Sequence, residues 1–323
     1  MAGYSNVVTR GTPSDPLVPE PIVAQVVEQL PQSSVVLERA RRVQLTSRTG
    51  TQPVLSALPE AYWVNGEPDP GEEGDPEDSL KQTTKPEWDK VTITAEELAA
   101  IVVIPDAYFD DASVPLWDQI RPLLTEAIGK KVDQAALFGV DKPSSWPTAV
   151  VPAAIGAGNV VAEGSGVDIA AEVATLAGLV AEDGYSVNGF ASAPGLQWKL
   201  IGLRSNQGAP IYTPALAPGQ PSGLYGYPLN EVTNGAWNSA TATLLAADWS
   251  KFVVGVRQDI TFRIFSEGVI SDASGNVVVN LMQQDAKAMR VVFRVGFQVA
   301  RPVTRIGGAT RYPAGVLVPT ISS

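Results

Sequence analysis

The chain has neither cysteine nor histidine among its 323 residues. The first absence removes thiolate metal sites, disulfide frameworks and Cys–His nucleophiles. The second removes the Ser-His-Asp triad and the side chain that most often serves as a general base near neutral pH. Together they point away from catalysis. Long hydrophobic runs are missing too. The longest clean one, Leu98–Ile104, is too short to span a bilayer, and MAGYSNVVTRGTPSDP at the N-terminus lacks the apolar core of a signal peptide. The expectation is a soluble chain made in the cytoplasm, with no need of disulfides.

Charge is scarce and unevenly placed. Charged residues make up 18% of the chain and hydrophobic ones 45%, a globular balance with enough length for a real core. The net charge is −11, and residues 60–111 alone hold fifteen acids and three bases. Inside that region Glu67, Asp69, Glu72, Glu73, Asp75, Glu77 and Asp78 follow one another with three prolines, two glycines and no base. Lys287–Arg311 reverses the pattern, with six bases, among them Arg290, Arg294 and Arg301, and no acid. Each stretch alone reads as a solvated surface; together they are complementary. The overall acidity argues against tight general nucleic-acid binding.

The 26 prolines and 29 glycines imply many turns and extended segments. Residues 1–19 read as an extended arm. Ile22, Val26 and Leu30 then recur at helical spacing, between Pro21 and Pro31. VVLERARRVQLTS turns toward extended structure. TGTQPVLSALPEAYWV and EWDKVTITAEELAAIVVIP read as the two strands of a long hairpin with the acidic stretch at its tip. Leu116, Ile120, Leu123, Ala127 and Ile128 predict an amphipathic helix, N-capped at Ser113, kinked or split at Pro122 and stopped at Gly139. Residues 141–166 read as loop, and DIAAEVATLAGLVAEDG as a helix starting at Asp168. A short buried strand and a helix around Gln197–Leu203 follow, and the rest is mostly β. Met289, Val291, Phe293, Val295, Phe297 and Val299 face one way, and Arg290, Arg294 and Gln298 the other. The class is α+β.

Motifs for chemistry fail one by one. The acidic stretch has strand-like flanks and prolines that break the ligand offsets of a calcium loop. GAGNVVAEG puts Val161 where a dinucleotide fingerprint needs its third glycine. Ser192 has no histidine to activate it. Asp110 with Asp111, and Glu182 with Asp183, sit where helix-flanking acids do. No cofactor or metal is expected. Trp63 and Trp88 bracket the acidic stretch; stacking on a sugar or base is one reading, and packing onto a neighbour is the better one, since no basic patch lies beside them.

The order of these segments resembles the major capsid proteins of tailed bacteriophages that share the Hong Kong 97 fold. VPEPIVAQVVEQLPQSSVVLERARRVQLTSRTGTQPVL is similar to their N-terminal arm, and the acidic hairpin to their extended E-loop. VTITAEELAAIVVIPDAYFDDASVPLWDQIRPLLTEAIGKKVDQAALFG is similar to the run from the E-loop base into the spine helix. NGFASAPGLQWKLIGLRSNQGAPIY resembles the axial-domain segment, and GLYGYPLNEV, AADWSKFVVGVRQDITFRIFSEG and MRVVFRVGFQVARPVTRI the closing ones. The resemblance implies an N-terminal arm at 1–48, an E-loop hairpin at 49–94, a peripheral domain at 95–150 and 256–303, and an axial domain at 151–255 and 304–323. It implies a non-enzymatic shell subunit of the virion, assembled in the host cytoplasm as hexamers and pentamers. The icosahedral shell would enclose double-stranded DNA without sequence-specific binding and without a membrane. No long scaffolding segment precedes the hairpin, which implies either a separate scaffolding protein or a mature form; scaffolding, portal and decoration proteins are the partners such a shell implies. An encapsulin-like compartment subunit and a ligand-binding α+β protein are the alternatives. The inter-subunit contact expected is between Tyr62, Trp63, Trp88 and the seven acids on one copy, and Arg290, Arg294 and Arg301 on the next. Lys81, Lys85 and Lys90, and Asn276, Asn280 and Glu267, match no cross-linking motif and read as surface residues.

Overall fold

The computed structural model describes residues 34–61, 84–111, 115–166, 168–202, 223–306 and 310–320. Its elements begin with α1 (Val35–Arg39), β1 (Arg41–Gln44), β2 (Thr49–Ala57), β3 (Glu87–Thr94), β4 (Glu96–Pro105), α2 (Asp106–Asp111) and α3 (Leu116–Asp133). They continue with α4 (Val150–Ala157), β5 (Val160–Ala162), α5 (Ile169–Glu182), β6 (Gly189–Ser192), α6 (Leu196–Ile201), β7 (Gly223–Leu224), β8 (Tyr227–Glu231) and β9 (Leu244–Ala247). The last are β10 (Phe252–Phe265), β11 (Val269–Ser271), β12 (Val277–Asn280), β13 (Ala286–Val299) and β14 (Ala314–Val318).

Two sheets organise them. One runs β1-β10-β13-β4, antiparallel except where β1 lies along β10. The other runs β5-β14-β9-β6-β8-β7, with β5–β14 and β6–β8 parallel. β2–β3 and β11–β12 are separate hairpins. The expected division at residues 255 and 256 falls inside β10, which is continuous over 14 residues.

Alternation sets the faces of the first sheet. Met289, Val291, Phe293, Val295, Phe297 and Val299 are all buried, and Arg290, Arg294 and Gln298 stand partly exposed on the other side of β13. The buried row joins one hydrophobic cluster with Leu124, Ile128 and Val132 of α3, which recur every fourth residue. Phe297 and Phe252 stack within it at 6.2 Å, with Trp146 and Trp249 against them. A second cluster, with Val173 and Leu176 of α5 and Leu200 of α6, covers the other sheet.

Several expectations need correction. Leu123 and Ala127 of the predicted stripe are exposed, so the buried face of α3 is turned by one position. The helix passes through Pro122 without a break; Asp118, whose carbonyl loses its N–H partner there, is exposed. One π turn, Gln134–Phe138, extends it to Gly139, which takes the left-handed φ of 79° that ends many helices. The predicted loop at 141–166 contains α4, whose Pro152 sits in the first turn, where it is tolerated. A short helix, α1, occupies the first five residues of VVLERARRVQLTS, and the extended structure begins only at β1. The single return strand is two: the chain turns at Ala95, so β3 pairs with β2 while β4 pairs with β13. The helix predicted around Ile22–Leu30, the Ser113 cap and the acidic tip lie outside the described residues.

Asp133, at the end of α3, is fully buried. Its carboxylate accepts hydrogen bonds from the Ser34 hydroxyl at 2.6 Å, the Asn234 amide at 2.8 Å and the backbone N–H groups of Val36 and Val35 at 3.0 and 3.2 Å. It thereby caps α1 and ties residues 34–36 and 234 to one helix end. Burial pushes its carboxyl above the ordinary 3.8, with the four hydrogen bonds pulling the other way. Asp133→Ala leaves these donors unsatisfied and is expected to cost about 2–4 kcal/mol in denaturant unfolding of the subunit. The raised value means the native chain keeps a proton that the unfolded chain has released. Asp133's contribution therefore falls as pH rises above 3.8. The stability gap between wild type and Asp133→Asn should narrow over that range in pH-dependent unfolding.

Candidate inter-subunit surfaces

The hairpin β2–β3 is antiparallel from Thr49 opposite Thr94 to Leu55 opposite Trp88. A two-stranded hairpin is marginal in water, so its base must be held. Leu45, Ile93, Ala95 and Val253 form a small buried cluster there. The approach is close because Gly255 and Gly296, partners across β10 and β13, have no side chains. A Cβ on Gly296 would lie 2.6 Å from the Thr94 carbonyl oxygen, and one on Gly255 2.8 Å from Ile93. Beyond the base, Gln298 Nε2 donates to the Thr92 carbonyl at 3.0 Å, Val303 N–H to Leu55 at 2.9 Å and an Arg305 Nη to Pro59 at 3.0 Å. Glu96 receives both the Arg48 guanidinium and the Ser145 hydroxyl. The Ser145 bond first, then Arg48, holds its carboxyl below the usual value. The hairpin thus runs alongside residues 298–305, and Trp88 near its outer end is 65% exposed. An indole left that open is a large apolar surface that the described residues do not cover.

The basic region is not one patch. Arg294 donates to Glu97 at 2.8 Å and pairs with it. Lys287 pairs with Asp106 at 3.3 Å. Arg301 lies over the Tyr312 ring at 5.9 Å, and burial raises that phenol. Arg290 lies over the Phe265 ring at 4.9 Å. Arg290 and Arg294 share an open cleft of about 270 Å³ with Glu97, Thr261 and Arg263, on the solvent face of β4, β13 and β10. Arg301 lines a different depression, with Thr148, Ala153 and Tyr312.

Of the predicted contact residues, Tyr62, Trp63, Glu67, Asp69, Glu72, Glu73, Asp75, Glu77 and Asp78 lie outside the described residues. The structure brings Arg290 and Arg294 together, places Arg301 apart from them and sets Trp88 on the hairpin. Sequence reasoning missed Arg263, although its alternation with Ile260, Phe262 and Ile264 already put it on the polar face. It also missed Gly255 and Gly296, for which only the pairing register carries a signal. Asp183 is a partner inside the fold: its carboxylate accepts from the Asn159 amide at 2.8 Å and Tyr312 N–H at 2.9 Å. Among the described residues no group of acids is arranged to hold a metal ion, and no helix is long and apolar enough to cross a membrane. Further exposed apolar side chains are Trp198 on α6, and Val269, Val277 and Val278 on the β11–β12 hairpin.

Comparison with known proteins gives a consistent picture. The model of the phage capsid family matches residues 15–304. The major capsid protein of Staphylococcus phage 80alpha is 22% identical over 248 residues, covering 75% of this chain and 69% of that protein. A solved structure from Microbacterium phage Oxtober96 superposes with a TM-score of 0.82 at 32% identity, covering 94% of this chain and 96% of that one. One from Mycobacterium phage Cain gives 0.82 at 32% identity, covering 95% and 97%.

Gly296→Val is expected to destabilise the subunit by about 1–3 kcal/mol, because the new side chain meets backbone that cannot step aside. Thermal unfolding measures this, and protease digestion should cut the β2–β3 hairpin sooner than in wild type.

Proposed function

The chain belongs to the phage capsid family, is a major capsid protein with the Hong Kong 97-type fold, and from that premise we propose how it assembles. Copies associate as hexamers and pentamers into an icosahedral shell that encloses double-stranded DNA and is built in the host cytoplasm. The chain works as a structural protein and not as an enzyme. Separate scaffolding, portal and decoration proteins are its proposed partners. The strands β10, β13 and β4 with α3 are assigned to the peripheral domain, with β1 of the arm along β10 at the sheet edge, and the six-stranded sheet with α4, α5 and α6 to the axial domain, β10 running from one to the other. Residues 1–48 are assigned to the arm and 49–94 to the E-loop.

The observation that carries this reading is the β2–β3 hairpin, fixed at its base by close packing and presenting Trp88 with 65% of its surface open. Such an arm gains its burial from another copy. We assign its contact to Tyr62, Trp63, Trp88 and the acids Glu67–Asp78, against the basic strands of the neighbour that carry Arg290, Arg294 and Arg301. Exposed ion pairs contribute about 0–1 kcal/mol each, so aromatic burial is the larger part and charge sets the register. The encapsulin-like and ligand-binding alternatives are not favoured, since the family model and the curated relative are both of phage capsids.

Electron microscopy of the purified full-length protein tests the reading. Closed shells are expected; a lasting monomer overturns it. Trp88→Ser should leave subunit stability within about 0.5 kcal/mol, because the side chain is already exposed. It should nevertheless lower particle yield in sedimentation. Denaturing electrophoresis of particles should give one monomer-sized band, consistent with non-covalent contacts.

A further inference from the structure

The solvent face of the four-stranded sheet carries a charge arrangement that the described residues do not resolve. Arg263 on β10 stands directly opposite Arg290 on β13. Like charges in that position repel, and side chains so placed have Cβ atoms about 4.5–5.5 Å apart. The third arginine of the cleft, Arg294, is balanced by Glu97 at 2.7 Å. Among the described residues no carboxylate pairs with Arg263 or Arg290. Arg290 is held in place by the Phe265 ring, and its Nε is buried without a hydrogen-bond partner among the described residues. The cleft therefore holds two guanidinium groups that lack a carboxylate partner among the described residues, and their planar forks suit carboxylates.

We propose that the cleft walled by Arg263, Arg290 and Arg294 receives carboxylates of the acidic stretch Glu67–Asp78 from a second copy of this chain. The proposal rests on the shell reading and narrows it, adding Arg263 to the contact and leaving Arg301 out. Complementarity is one argument, since that stretch carries seven acids and no base. Reach is the other. The hairpin leaves the sheet at Gly296 and runs alongside residues 298–305, away from Arg290. From Thr94 to Glu87 is about 23 Å of strand, and from Val295 back to Arg290 about 16 Å in the opposite sense. The stretch between the described ends, residues 62–83, is 22 residues. Doubled back as a loop, it spans at most about 40 Å. The same chain's acids touch its own cleft only when the stretch is fully drawn out back along the hairpin. A neighbouring copy has no such constraint.

Charge exchange on the full-length chain tests this. The four proteins are wild type, R263E/R290E, E72K/E73K/D75K and the chain carrying both sets. Particles are quantified by sedimentation and electron microscopy, and circular dichroism checks that each subunit folds. Each reversal alone is expected to cut particle yield about 10-fold or more, by placing like charges in contact. The combined chain should recover most of the yield. Wild-type yield from R263E/R290E, or a combined chain no better than the poorer single set, overturns the proposal. Normal particles from R263E/R290E with reduced DNA content also overturn it, and assign the cleft to DNA phosphates. Should R263E/R290E not fold, R263Q/R290Q replaces it; its particles should melt earlier than wild type at low salt and lose part of the salt dependence. An unchanged salt series overturns the proposal. Failure of wild type itself to form particles is a separate result and counts against the shell reading.

Discussion

A buried carboxylate holds the subunit's entry and its long helix in one place. Asp133 spends four hydrogen bonds on groups that are distant in sequence: Ser34, Val35 and Val36 on one side and Asn234 on the other. An uncompensated carboxylate in that position would be costly, and donors that lost it would be costly too. The arrangement is consequently all-or-nothing. It fixes α1 against α3, α1 leads directly into β1, and β1 sets the edge of the sheet along β10. Packing of that sheet on α3 then follows from the buried row on β13.

How much of this could be read beforehand depends on whether the signal was local. The inward row of β13 was fully legible, because a period of two over eleven residues leaves one assignment. So was α5, which starts where Asp168 accepts the Ala171 N–H at 2.8 Å. The order of segments sufficed to identify the family. Two kinds of feature stayed hidden. One was local but ambiguous: α4 begins V-V-P and carries glycines near its end, and such residues count as breakers until a first turn and a C-cap are seen. The other was non-local. That Asp133 is a capping residue for α1 depends on a contact across 97 positions of sequence, between Val36 and Asp133. That Arg263 faces Arg290 depends on the register of two strands. Composition gave the contrast between an acidic middle and a basic end, but not the intrachain pairs that already occupy Arg294 and Lys287.

The hairpin and the charged face answer different physical needs. Apolar burial at its base gives the hairpin direction, and direction is what lets an arm meet a partner without a large ordering cost. Charge on the sheet has little to add to stability in water but discriminates among ways of docking. An arm with an open indole could stick to many surfaces; a pair of opposed arginines accepts few.

The two glycines beneath the hairpin differ in what evolution can do with them. At Gly255 the obstacles to a larger residue are the ends of the Leu45 and Ile93 side chains, at 2.7 and 2.8 Å. A lineage could enlarge that position by shrinking either neighbour, so its identity is open to paired drift. At Gly296 the nearest obstacle is the backbone oxygen of Thr94. No exchange of amino acids elsewhere removes a carbonyl. Descendants of this chain are thus free to trade volume on one strand and have no such freedom on the other, although the two glycines are paired neighbours in the same sheet.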